Sequence, residues 1–141
     1  MSMADAKFEK VTRTDRALYG PEKLVLCGFP SEAQSKFKAV LAMAGLQNIP
    51  VVWATQQQAD SRLGDLFTLP PEAGRGISST LPRAIIVAGI TEKKLHVLMA
   101  VCRKTGMKPA LWATLTSTSE NWQLKELLAE LSAERKALGK R

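Results

Sequence analysis

Short runs of aliphatic residues alternate along the chain with segments of helical periodicity. The runs Leu24–Cys27 and Ala84–Ala88 have the length and composition of buried strands. A glycine follows each run, and the apolar residues after it recur every three or four positions, which predicts an amphipathic helix. A further strand, Pro50–Ala54 or Pro109–Ala113, follows each predicted helix. The pattern therefore predicts the order β-α-β in both halves of the chain.

The two halves are also similar residue by residue. The aligned pairs are Gly28 and Gly89, Gly45 and Gly106 and, after a gap of two residues, Pro50 and Pro109. The tripeptide Trp-Ala-Thr at 53–55 recurs at 112–114, although the chain has only three tryptophans. We therefore predict an internal repeat, with a first unit at residues 24–67 and a second unit at residues 85–131.

A second helix is predicted after each pair of strands. The helix near Ala59–Phe67 is short and contains Gly64, whereas the last helix carries a long leucine stripe that begins at Leu124. The preferred fold is an α+β, ferredoxin-like sandwich built from a duplicated βαβ unit, with an extra C-terminal helix. The alternative is a small parallel, flavodoxin-like α/β sheet, which applies if residues 59–67 form a complete crossover helix.

A single domain is predicted for residues 21–138. The 141 residues, 45% of them apolar, are typical of one globular domain with its own core. Residues 1–20 are predicted to be a flexible arm, and residues 68–81, rich in Pro, Gly and Ser, an exposed loop. The sequence shows neither a secretory signal nor an apolar run of membrane-spanning length, so we expect a cytoplasmic protein without membrane contact.

The net charge of +7 is concentrated between residues 83 and 110. A basic region of this kind can attract nucleic acid or another polyanion. The candidate nucleic-acid-binding residues are Arg75, Arg83, Lys93, Lys94, Arg103, Lys104 and Lys108. Because several of these charges fall at the two ends of one predicted helix, a solvated, structural role is the other interpretation.

The sequence contains no recognisable catalytic or cofactor-binding motif. The single histidine, His96, has Glu92 one turn away, a pairing typical of a helix surface. No phosphate-binding glycine loop is present, and Cys27 and Cys102 lack the spacing of a metal or redox motif. We therefore expect no cofactor, no metal site and no enzymatic activity. The expected function is a binding or regulatory module for a small ligand or a protein partner, with a nucleic-acid-binding protein or an enzyme of unrecognised type as alternatives.

The best candidate for a ligand site lies beyond the two Trp-Ala-Thr tripeptides. If their strands end side by side, hydroxyl and amide groups converge there on one cleft that can hold a small polar ligand. The candidate residues of this cleft are Thr55, Gln56, Thr114, Thr116, Ser119 and Trp122. The alternative is that the tryptophans only pack in the core.

Threonines, a tryptophan and leucines form a recognisable motif at the C-terminal end, with matching positions at Thr116, Thr118, Trp122, Leu124, Leu127 and Glu134. This segment resembles DUF3783, a bacterial domain family of unknown function whose motif runs T-P-T-N-x-x-W-x-L-x-x-L and closes with Glu-His. Ser117, Ser119 and Arg135 stand where the family has Pro, Asn and His. The resemblance is best over residues 84–135. It implies a bacterial source and an uncharacterised function, and it supplies no activity.

Overall fold

The computed structural model describes residues 16–139. Its helices and strands are, in chain order, β1 (Lys23–Cys27), α1 (Ser31–Met43), β2 (Val51–Ala54), α2 (Leu63–Leu66), β3 (Ala84–Ala88), α3 (Glu92–Lys104), β4 (Leu111–Thr114) and α4 (Leu124–Gly139). The 3₁₀ turns Gln56–Gln58 and Ser119–Asn121 precede α2 and α4. The order β-α-β-α therefore occurs twice.

The predicted arm at residues 1–20 falls mostly outside the described residues, up to residue 15. The part that is described contacts the segment that follows β3. The N–H of Leu18 donates to the carbonyl of Ile90 at 2.7 Å, and the N–H of Gly89 donates to the carbonyl of Tyr19 at 3.2 Å. Between residues 16 and 139, no helix has the length and apolar character needed to cross a membrane.

The four strands form one mixed sheet in the order β2-β1-β3-β4. β1 pairs in parallel with β2, β3 pairs in parallel with β4, and the central strands β1 and β3 are antiparallel. The predicted α+β class is confirmed, but the strand order is not ferredoxin-like. A ferredoxin-like sheet splits each βαβ unit with a strand of the other, whereas here the two strands of each unit are neighbours.

The all-parallel, flavodoxin-like alternative is also wrong, and the short α2 explains why. Residues 59–67 contain a single helical turn, Leu63–Leu66, which is too short for the crossover that a parallel neighbour requires. The chain returns through residues 68–81 instead and enters β3 antiparallel to β1.

Helices cover both faces of this sheet. The face packed against α1 and α3 contributes Leu24, Leu26, Val51, Trp53, Ile85 and Val87 to one core cluster. The opposite face, packed against α2 and α4, contributes Val25, Cys27, Val52, Ala54, Ala84 and Ile86 to the other. Strands buried on both sides have continuous apolar sequences rather than alternating ones, which accounts for the two aliphatic runs.

Residues that the sequence alignment makes equivalent pair with each other where the two units meet. In the centre of the sheet, Val25 lies opposite its equivalent Ile86. On the α2 and α4 face the backbone contacts are reciprocal: Leu63 N donates to Trp122 O at 2.9 Å, Leu124 N donates to Ser61 O at 2.8 Å, and Arg62 forms a β-bridge with its equivalent Gln123. The aligned positions of the two halves thus contact each other both in the sheet and on its α2 and α4 face.

Gly28 and Gly89 allow the two central strands to lie side by side. Their φ angles are +75° and +73°, in the left-handed region that side chains disfavour. A Cβ on Gly28 would lie 2.7 Å from the N of Arg83, and a Cβ on Gly89 would overlap the backbone of Glu22. Each glycine thus lies against the backbone that leads into the neighbouring central strand.

We expect Gly28→Ala to destabilise the domain far more than Gly45→Ala. Gly45 also has a positive φ, but nothing lies within 4 Å of an added Cβ there, so its variant measures left-handed strain alone, about 1–2 kcal/mol. The steric overlap at Gly28 adds about 1–3 kcal/mol. Urea unfolding followed by tryptophan fluorescence gives both values, and equal losses would contradict the role assigned to the backbone contact.

Candidate functional site

A groove of about 520 Å³ lies between the C-terminal part of α3 and β4. Its apolar lining comes from Ile85, Met99, Cys102, Met107, Pro109, Ala110 and Trp112. Its cationic lining consists of Arg83, Arg103, Lys108 and Arg135. Within the described part of the chain, no carboxylate lines the groove. This combination suits a ligand that carries negative charge together with an apolar or aromatic portion.

The groove is open because the second unit has less bulk than the first at equivalent positions. Leu98 stands where α1 has Phe37, and the gap of two residues removes the position of Ile49. Phe37 and Ile49 belong to the core cluster that contains Trp53, and the rings of Phe37 and Trp53 are 6.4 Å apart. Trp53 is consequently only 2% exposed, whereas Trp112 is partly exposed.

The first unit also covers its tryptophan with part of the loop at residues 68–81. The N–H of Glu72 donates to the carbonyl of Val51 at 2.7 Å, and the N–H of Trp53 donates to the carbonyl of Ala73 at 2.8 Å. These two bonds hold a turn of the loop against the outer edge of β2. Among residues 16–139, no segment pairs in this way with the outer edge of β4.

Glu72 holds the covering segment in place through its carboxylate. The carboxylate accepts hydrogen bonds from Lys38 Nζ at 2.6 Å, Arg75 Nη1 at 3.0 Å and Trp53 Nε1 at 3.2 Å. Burial raises the pKa of Glu72, but these three hydrogen bonds outweigh it and hold the pKa below its ordinary value. Arg75 also lies 5.9 Å from the centre of the Trp53 ring. This predicted nucleic-acid residue is thus engaged in the first unit, away from the groove.

We expect the ionised Glu72 to stabilise the fold in a pH-dependent way. The pKa of Glu72 is lower in the folded than in the unfolded chain. The stabilisation of the fold by the ionised carboxylate is therefore complete above the unfolded pKa of about 4.3, and it is lost as the pH falls through the folded pKa. Wild type should therefore be more stable than Glu72→Gln at about pH 6, and the difference should shrink towards about pH 2.5. Urea midpoints of both proteins test this, and a pH-independent difference would contradict it.

Two of the cations at the groove have fixed positions. The Nε of Arg83 donates to the carbonyl of Gly28 at 3.0 Å, and its guanidinium lies 4.2 Å from the centre of the Phe29 ring; burial lowers the pKa of Arg83. Arg135 Nη2 donates to the carbonyl of Ala110 at 2.9 Å, so the exposed Arg135 of α4 lies against the start of β4.

The thiols of the described chain are not activated nucleophiles. Burial raises the pKa of Cys102, which lines the groove, and the charge of Arg103 offsets this rise only in part. Burial raises the pKa of Cys27 to about 12. Both groups are therefore protonated at neutral pH. Between residues 16 and 139, no three His, Cys, Asp or Glu side chains lie close enough together to hold a metal ion.

The structure brings together only part of the predicted basic set. Arg83, Arg103 and Lys108 line the groove. Lys104 lies next to it, on an open surface of α3. Lys93 and Lys94 are in the first turn of α3, at the opposite end of the helix from the groove.

Sequence reasoning did not place Arg135 at the site. In the sequence, Arg135 stands where the family motif has His and lies outside the basic region at residues 83–110. Its approach to Ala110 depends on how α4 packs against β4, and no local pattern in the sequence encodes that. The excess of basic residues between positions 83 and 110 predicted the other three cations of the groove, Arg83, Arg103 and Lys108.

The predicted polar cleft is not formed. β2 and β4 occupy opposite edges of the sheet and run in opposite directions. Thr55 and Gln56 therefore follow one edge strand at one end of the sheet, while Thr114 and Thr116 follow the other edge strand at the other end. The expectation rested on two strands that end side by side, which this topology excludes.

The polar groups of that predicted cleft serve the turns after each edge strand. Thr55 is buried and accepts from the N–H of Gln57 at 3.3 Å, and Gln56 Oε1 accepts from the N–H of Thr80 at 3.1 Å. After β4, the N–H of Thr116 donates to Ser119 Oγ at 3.0 Å, and the N–H of Ser119 donates to Thr116 Oγ1 at 2.9 Å. The carbonyl of Trp122 accepts from the N–H of Leu63. Since α4 begins only at Leu124, Ser119 does not cap it.

Comparison with known proteins places the groove in a segment shared with a family. Residues 83–138 match the sequence profile of DUF3783, a domain of unknown function, which confirms the resemblance over the C-terminal half. The match spans β3, α3, β4 and nearly all of α4, and it includes every residue that lines the groove. No curated protein and no solved structure shows significant similarity to the chain.

Proposed function

We propose that this protein is a non-catalytic binding module whose groove beside β4 holds a negatively charged partner. One observation carries the proposal: Arg83, Arg103, Lys108 and Arg135 surround an apolar surface that includes Trp112, without a carboxylate among the described residues that line it. Like charges grouped in a concavity raise the local concentration of anions. The apolar surface adds affinity for the uncharged part of the same partner.

We further propose that the domain arose by duplication of a β-α-β-α unit. The reciprocal bonds between Leu63 and Trp122 and between Leu124 and Ser61 support this origin. The duplication bears on function, because the second unit has an open site where the first is closed. The bacterial source and the cytoplasmic location stay predictions from the sequence.

Nucleic acid is the second candidate partner, because Arg83, Arg103 and Lys108 of the predicted basic set converge on the groove. Two features favour a smaller anion or an acidic protein segment. Among the described residues that line the groove, Trp112 is the one aromatic residue, whereas surfaces for single-stranded nucleic acid stack successive bases on several aromatic rings. Lys93 and Lys94 also lie too far along α3 to extend the same surface.

The experiment compares two double variants that lower the net charge equally. Arg103→Gln/Lys108→Gln removes two cations from the groove, and Lys93→Gln/Lys94→Gln removes two from the other end of α3. Each is titrated with adenosine 5′-monophosphate and with a mixed-sequence single-stranded decanucleotide, and binding is followed by 15N chemical shifts at low and at physiological salt. We expect the groove variant to lose at least about tenfold in affinity, since each charged contact contributes about 1 kcal/mol or more.

The control variant should bind these probes almost as wild type does. Equal weakening in both variants would show that net charge, not the groove, attracts the anion, and would contradict the proposal. Shifts that include Lys93 and Lys94 and persist at physiological salt with the decanucleotide would favour the nucleic-acid function instead.

A further inference from the structure

We propose that the outer edge of β4 and the groove beside it take up an extended acidic peptide, which adds to the sheet as a further strand. The inference rests on the proposed function, because it names the partner of the same groove. The chain itself offers a partial precedent, since a turn at residues 72–73 forms two backbone hydrogen bonds with the equivalent edge of β2.

The positions that hold this covering segment have their equivalents in the groove. The segment contacts Val51, Trp53 and Lys38 of the first unit. The repeat alignment places Ala110, Trp112 and Met99 at these positions, and all three line the groove. The two units therefore present the same edge to a covering segment, and only the first unit has one among the described residues.

The hydrogen-bonding groups of β4 point the right way for strand addition. Leu111 N donates to Arg83 O and Leu115 N donates to Val87 O, both at 2.9 Å. Because alternate residues of a strand point to opposite sides, the N–H of Trp112 is directed away from β3, as the N–H of Trp53 is directed from β2 to Ala73. An edge with free backbone groups is the structural requirement for β-augmentation.

The carbonyl of Ala110 has a side-chain hydrogen-bond donor where its equivalent in the first unit has a backbone donor. Its equivalent, Val51, accepts the backbone N–H of Glu72 at 2.7 Å. Ala110 instead accepts the exposed guanidinium of Arg135 at 2.9 Å. An arriving strand would replace this side-chain donor with a backbone donor and release Arg135 to pair with a carboxylate of the peptide.

The positive charge of the groove indicates that the peptide is acidic. In the first unit the covering segment brings a carboxylate, Glu72, to a tryptophan and a lysine. The groove offers a tryptophan and four cations, so a strand that brings carboxylates is the complementary one. A second copy of this chain paired through β4 would bring two such sets of cations together, which disfavours self-association.

The test uses a synthetic peptide with the sequence of residues 69–77 carrying Arg75→Glu, added to the full-length protein. One control peptide has both glutamates replaced by glutamine. A second is N-methylated at the residue that corresponds to Glu72, which removes the N–H expected to bond Ala110. Binding is followed by 15N chemical shifts, hydrogen exchange of the Trp112 amide and sedimentation, with adenosine 5′-monophosphate titrated into a parallel sample.

We expect the acidic peptide to shift groove resonances and to slow exchange of the Trp112 amide at least about tenfold, because the amide becomes hydrogen-bonded. Both control peptides should bind at least about tenfold more weakly. Arg103→Gln/Lys108→Gln should weaken the acidic peptide, and Lys93→Gln/Lys94→Gln should leave it unchanged.

Several results would overturn the inference. If the peptide shifts the groove without slowing Trp112 exchange, or if adenosine 5′-monophosphate binds there while the peptide does not, strand addition is wrong although the anion-binding groove stands. If neither probe binds at the groove, both proposals fail. Three further outcomes would also contradict the acidic peptide as occupant. The decanucleotide could bind the groove more tightly than the peptide, or the peptide could shift Trp53 instead of Trp112. Sedimentation could also show a dimer of the protein.

Discussion

The antiparallel pairing of β1 with β3 is the interaction on which the rest of the structure depends. It joins the two parallel pairs into one sheet, and it requires backbone to pass directly beside Gly28 and Gly89. Because both strands are buried on both faces, the pairing also gives α1 and α3 one core to pack against and α2 and α4 another. Every later feature, including the position of the groove, follows from this central pair.

Because β1 and β3 pair in the centre, β2 and β4 lie at opposite edges of the sheet. A sheet with two edges has two places where backbone groups are exposed, and proteins normally cover or block such edges. The first unit covers its edge with residues 72–73 and fastens them through Glu72 and Lys38. The second unit passes from β4 into α4 without a comparable loop, so among residues 16–139 the guanidinium of Arg135 is the group seen to bond its outer edge.

The sequence predicted the element order, the aliphatic central strands and the α+β class, because these depend on local periodicity and composition. It did not predict the strand order, since periodicity carries no information on which strands become neighbours or on their direction. The predicted cleft is not formed for the same reason: Thr55 and Thr114 align in sequence, yet their strands lie at opposite edges of the sheet. The groove was found in part, because Arg83, Arg103 and Lys108 stood out by charge, whereas Arg135 depends on the packing of α4.

The two tryptophans of the repeated Trp-Ala-Thr tripeptide show how equivalent residues acquire different roles. Trp53 is enclosed by Phe29, Phe37 and Glu72, so its indole N–H is satisfied within the chain. Trp112 has the same place in its strand, but among the described residues that line its groove there is neither a phenylalanine nor a carboxylate, and cations lie beside it instead. The closed site thus contains the kind of group that we propose the open site binds. The carboxylate that a tryptophan and a lysine hold in one half is therefore the most direct support for an acidic partner at the other half.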